Sequence, residues 1–144
     1  MNILFVCTGN TCRSAMAAAI MNKIAMETGL DVRIDSAGIF ACEGQRASEN
    51  AVIAAAEMGA DLSEHRSKQI NEELISASDI ILTMTEAHKQ MLLPLAKDKV
   101  YTLLEYASLD GDVKDPYGGD LDVYRECAGE IYSALLKINE KIRN

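Results

Sequence analysis

The 144-residue chain has no tryptophan, only 2 prolines, and 14 Lys plus Arg against 22 Asp plus Glu, a net charge of −8. An acidic protein repels nucleic acid and anionic lipid unless its positive charge is gathered in one patch, and no basic run occurs. Nucleic acid is therefore not an expected partner, nor is a membrane. No run of about 18 apolar residues is present to span a bilayer. A basic leader, apolar core and cleavage site are also missing, because Met1 opens directly onto Asn2-Ile-Leu-Phe-Val-Cys7. A cytoplasmic location is expected. Cysteine is sparse, and four in such a chain read as reduced thiols rather than a disulfide framework. Repeats, low-complexity segments and linkers are absent, so residues 1–144 read as one domain. The 49% hydrophobic content excludes a disordered chain.

The apolar pattern alternates between two types. Ile3-Leu4-Phe5-Val6 is a continuous run suited to a strand buried on both faces. Ser14 stands as an N-cap before an Ala- and Met-rich helix that Gly29 stops. Val32–Asp35 reads as a second strand, ended by Ser36-Ala37-Gly38. Ser48 caps a helix through Met58, and Asn71 caps a short one to about Ala77. Asp79–Thr83 is a third strand, followed by a helix from Thr85 that Pro94 limits. Val100–Leu103 is a fourth. The last helix runs from about Leu121 to Ile142, with Leu121, Tyr124, Ala128, Ile131, Leu135, Ile138 and Ile142 on one face. This order predicts an α/β fold, a doubly wound four-stranded parallel sheet with helices on both faces. Ligands of such sheets bind beyond the carboxyl ends of the strands, where strand order reverses.

The segment at that position is Cys7-Thr8-Gly9-Asn10-Thr11-Cys12-Arg13-Ser14. Backbone N–H groups of such a turn converge on an anion, and the helix start adds a favourable dipole. Gly9 lets the chain turn, and Arg13 offers a fork matched to two phosphate oxygens. Cys7 lies at the bottom of this positive cradle, which favours its thiolate and attack at phosphorus. Ser14 can donate its hydroxyl to the sulfur. Alone, a cysteine at a strand end is equally a small buried hydrophobe. A nucleotide-binding Gly-Lys-Ser/Thr loop is excluded because that sequence does not follow, and zinc because Cys7 and Cys12 lack a second ligand pair.

Phosphoryl transfer also needs a proton donor for the leaving group. Asp115 in Val113-Lys114-Asp115-Pro116-Tyr117-Gly118-Gly119 fits, since burial beside a bound phosphate helps a carboxyl hold its proton. An ordinary Asp-Pro turn has the same sequence. Asp120 and Asp122 are set at a helix start, where a carboxylate already has a capping or dipole role.

Together, the Cys7–Ser14 loop, Asp35-Ser-Ala-Gly38 and Asp115-Pro-Tyr-Gly118 resemble the low-molecular-weight protein tyrosine phosphatases over essentially the whole chain. The resemblance implies a nucleophile at Cys7, a phosphate clamp at Arg13, an acid then base at Asp115, and no metal or cofactor. It also implies that residues 8–13 bind phosphate while Asn10, Ser14, Ser36 and His65 hold the loop in shape. Thr11 is similar to the bacterial protein arginine phosphatase branch, as are Ser36-Ala-Gly-Ile-Phe40 and Gly111-Asp112-Val113. A guanidinium needs acceptors, which the Thr11 hydroxyl and Asp115 supply, whereas an apolar residue at position 11 suits a phenyl ring. Phe40 and Tyr117 are expected as pocket walls. The expected function is hydrolysis of phosphoarginine in proteins through a phosphocysteine, with phosphotyrosine as the alternative and a monomer as the acting form.

Two positions depart from the family: Ala15 and Ala18 stand where proline and glutamate are usual. Cys7 and Cys12 are close enough for a disulfide under oxidation. Cys42 and Cys127 read as structural or incidental, and His88 carries no assignment. An arsenate reductase on the same fold needs two further cysteines in the second half, where only Cys127 lies. A non-catalytic phosphate-binding module would have no need of Cys7 and Asp115.

Overall fold

The computed structural model describes residues 1–96 and 98–144. Strands β1 (Asn2–Cys7), β2 (Arg33–Gly38), β3 (Ile80–Thr83) and β4 (Val100–Thr102) form one parallel sheet in the order β2-β1-β3-β4. The helices are α1 (Arg13–Thr28), α2 (Glu49–Glu57), α3 (Glu72–Ala77), α4 (Glu86–Ala96), α5 (Leu103–Tyr106) and α6 (Leu121–Arg143). The expected fold class is the observed one.

Side-chain alternation on β1 explains its unbroken apolar run. Ile3, Phe5 and Cys7 face a core completed by α1, α2, α5 and α6, while Leu4 and Val6 face Ile75 of α3 and Leu92 and Ala96 of α4. The chain moves one way from β1 to β2 and the other way to β3, so strand order reverses at the carboxyl end of β1. Caps set the helix starts. Ser48 Oγ accepts from the Ala51 N–H, Asn71 Oδ1 from Leu74 and Asp120 Oδ1 from Val123. On α6, Tyr124, Ala128, Ile131, Leu135 and Ile138 are buried, whereas Leu121 and Ile142 are only half-buried.

Four expectations need correction. First, α1 begins at Arg13 with Cys12 in the cap position, and Ser14 lies inside the helix because its hydroxyl is bonded elsewhere. Second, β2 continues to Gly38, since six-residue pairing with β1 outweighs the weak strand preference of Ser36-Ala37-Gly38. Third, Pro94 does not end α4, which runs to Ala96; Pro94 is exposed, so water can satisfy the carbonyl that its missing N–H leaves free. Fourth, Leu103 opens the short helix α5 instead of closing β4, because Thr102 and Glu105 form a reciprocal capping box.

Candidate active site

At the crevice beyond β1, residues 7–13 wrap a cavity of about 240 Å³ that Asp115 and Tyr117 also line. Cys7 ends the strand, Arg13 begins the helix, and both are buried. Asn10 organises the turn between them. Its backbone is left-handed, φ 59°, a conformation that asparagine tolerates better than most residues. Its side chain is completely buried. Asn10 Nδ2 donates to Ser14 Oγ at 2.8 Å and to Ser36 Oγ at 3.0 Å, while Oδ1 accepts from the Lys68 N–H at 3.0 Å.

This network fixes the direction of the next bond. Because Ser14 Oγ accepts from Asn10, its own hydrogen is free to donate to Cys7 Sγ, 2.9 Å away. The Ser14 N–H adds a second donor at 3.5 Å. Two donors on one sulfur stabilise negative charge there. His65 Nε2 lies 2.7 Å from the Asn10 carbonyl, which can only accept, so Nε2 is the donor of that bond.

Arg13 spans the other wall. Nη1 donates to the Val113 carbonyl at 2.9 Å, and Nη2 stands 3.8 Å from Asp115 Oδ2. Its side chain is only 6% exposed, whereas that of Asp115 is 55% exposed. A desolvated guanidinium at the wall of a cavity favours an anion inside it. Asp115 Oδ1 accepts the Tyr117 N–H at 3.1 Å, which aims the carboxyl and places the tyrosine at the mouth.

Thr11 lines the cavity as expected. Phe40 differs from its expected place. Its N–H donates to the Thr8 carbonyl at 2.9 Å, but its ring lies in a turn, 71% exposed, outside the cavity lining. Cys12, which also lines the cavity, has its sulfur 3.4 Å from Ser48 Oγ and 3.5 Å from Tyr124 OH. Burial and the Cys12 bond push the Tyr124 hydroxyl up to about 12. All four thiols are free.

Three contributions escaped the sequence. Gly38 meets the loop so closely that a Cβ there would lie 2.5 Å from the Thr8 carbonyl oxygen. The Ser-Ala-Gly segment signals it only as a strand end. Lys68, whose amide holds Asn10, has no local signature. His88 Nε2 lies 2.9 Å from Thr8 Oγ1, 80 residues away in sequence. A neighbouring cavity between Lys114-Asp115-Pro116 and α6 contains Cys127, but burial above all pushes that thiol up to about 12. It is no thiolate near neutrality.

A buried sulfur with two donors, a desolvated guanidinium and a facing carboxyl are the groups a cysteine-based phosphatase requires. A model of the family described as low molecular weight phosphotyrosine protein phosphatase matches residues 2–144. The chain belongs to that family. It is 42% identical over 147 residues to a protein-arginine-phosphatase of Bacillus subtilis, covering 99% of this chain and 97% of that one. It is 40% identical over 146 residues to the low molecular weight protein-tyrosine-phosphatase PtpB of Staphylococcus haemolyticus, covering 99% and 98%. A solved structure of YwlE arginine phosphatase, a cysteine-to-serine mutant with a phosphorylated active-site serine, aligns with a TM-score of 0.96 at 40% identity, covering 100% and 97%.

Proposed function

We propose that this chain is a protein-arginine phosphatase acting in the cytoplasm as a monomer. The observation that carries the reading is the joint presence of the Thr11 side chain and the Asp115 carboxyl in the lining of one cavity with Cys7 and Arg13. Both supply oxygen acceptors for the N–H groups of a phosphorylated guanidine, which an apolar residue at position 11 would leave unpaired. The similarity to protein-arginine-phosphatases at 42% identity supports it. Four free thiols suit a reducing compartment.

The chemistry runs in two steps. Arg13 and the loop N–H groups hold the phosphoryl oxygens, and Cys7 Sγ attacks phosphorus as the P–N bond breaks. Asp115 gives its proton to the departing guanidine nitrogen. It then takes a proton from water, whose oxygen attacks the phosphocysteine. The P–S bond breaks, and Ser14 stabilises the returning thiolate. The phosphorylated serine in the related mutant structure supports a covalent phosphoryl intermediate.

Phosphotyrosine is the second reading, favoured by the exposed Tyr117 ring at the mouth and by the PtpB relative. The deciding experiment compares kcat/KM on matched phosphoarginine and phosphotyrosine peptides, with Cys7→Ser as blank and Thr11→Ile alongside. Preference for phosphoarginine that collapses in Thr11→Ile supports the first reading. Preference for phosphotyrosine in the wild type overturns it. Under peroxide, Cys7 and Cys12 lose two protons and two electrons to form a disulfide while peroxide becomes water. Activity that thiol reduction fails to restore would exclude that protection.

A further inference from the structure

His88 lies on α4, buried, with Nε2 2.9 Å from the hydroxyl of Thr8 in the cavity wall. Its backbone N–H is held by Thr85 Oγ1 at 3.1 Å. Its Nδ1 is buried and has no partner among the described residues. Such an atom destabilises the folded chain, and native structures retain few of them. The ring is surrounded by charge. Arg13 approaches from α1 and opposes a second cation, while Asp112 and Asp115 of the α5–α6 loop favour one. On its own helix are Glu86 and Lys89, the latter paired with Glu105.

We infer that His88 is a positioning residue that senses occupancy of the phosphate cavity through Thr8, so that a bound dianion and a proton on the buried ring favour each other. The inference rests on reading the Cys7–Arg13 loop as an anion cradle. Burial first and Arg13 second hold the imidazole below its ordinary range, which favours its neutral form. Orphaned N–H groups are rarer than orphaned acceptors, which puts the single proton on Nε2, donating to Thr8 Oγ1. The Thr8 hydroxyl then has its own hydrogen free for an anion in the cavity. A dianion there offsets the Arg13 charge, which is one of the two forces opposing protonation. Linkage makes the effect reciprocal: whatever the anion adds to proton affinity, the proton adds to anion affinity.

The chain has only two histidines, so imidazole NMR separates His88 from His65, with His65→Gln for assignment. Cys7→Ser is the background, since it removes the nucleophile. Sulfate is the probe because it stays doubly charged between about pH 5 and 8. Saturating sulfate is expected to raise the His88 midpoint by about one unit and to bind about tenfold more tightly at the acidic end. His88→Asn should remove that pH dependence. Thr8→Val, at an exposed position, should weaken the coupling. Sulfate that shifts the amides of residues 8–13 without moving the His88 midpoint overturns the inference, as does undiminished coupling in Thr8→Val. Sulfate that leaves those amides unmoved overturns the anion cradle itself, and this inference with it.

Discussion

Gly38 and Thr8 meet without room for a single methyl group: a Cβ on Gly38 would stand 2.5 Å from the Thr8 carbonyl oxygen and 2.9 Å from Ala41 Cβ. The end of β2 thereby presses the loop that follows Cys7 into position. Gly38→Ala is expected to displace Thr8 and Gly9. The displacement should cost about 1–3 kcal/mol in urea unfolding and at least tenfold in kcat/KM. Wild-type kinetics in this variant would show that the loop is positioned without β2.

Asp115 stands 3.8 Å from Arg13 and lines the cavity together with the sulfur-bearing loop. Asp115→Asn keeps an acceptor for the Tyr117 N–H but has no proton to transfer. Its kcat should fall by about 10²–10⁴ with little change in fold. A fall smaller than about tenfold would remove Asp115 from proton transfer.

Removing the Asn10 side chain should be costly because it serves three partners from a left-handed backbone. Asn10→Ala is expected to lose about 2–5 kcal/mol of stability, combining unpaired buried groups with backbone strain. Asn10→Gly should recover about 1 kcal/mol of that loss through its tolerance of positive φ. Equal urea midpoints for the two variants would show that the strain is negligible.

Alkaline pH probes the interior next to the site. Burial pushes the Cys127 thiol up from 9.0, and the Tyr124 hydroxyl up from 10.0, each to about 12. The unfolded chain loses these protons first. The associated stability is therefore present below about pH 9 and falls as pH rises toward about 12, by at most ~1.4 kcal/mol per pH unit per group. Cys127→Ala should lessen the fall in melting temperature over that window, leaving the part due to Tyr124. Thiol reagents at pH 8 should label exposed Cys42 and spare Cys127 until unfolding, a difference that mass spectrometry reads directly.

Local chemistry made much of this legible. Ser48, Asn71 and Asp120 act as caps where their side chains suggest, and the Ile3–Val6 run marks a strand covered on both faces. Readings failed where distant contacts outweigh local preference. Ser36-Ala37-Gly38 has little tendency to extend, yet parallel pairing with β1 extends it. The Thr102–Glu105 capping box was present in the sequence and would have identified α5. Ser14 illustrates a conflict of roles, because a residue that suits a cap binds the Cys7 sulfur instead. Lys68 and His88 reach the loop from 58 and 80 residues away, a separation that no spacing rule covers.

The Val113 main chain has two duties: its N–H donates to the Met84 carbonyl at the end of β3, and its carbonyl receives Arg13. The guanidinium is thus moored to a residue made 100 positions later in the chain. A ribosome that has released only β1 and α1 has exported the sulfur and the arginine but not the mooring or the acid. Reactivity is therefore the last property the growing polypeptide acquires, and turnover in a cell extract counts finished molecules rather than chains in progress.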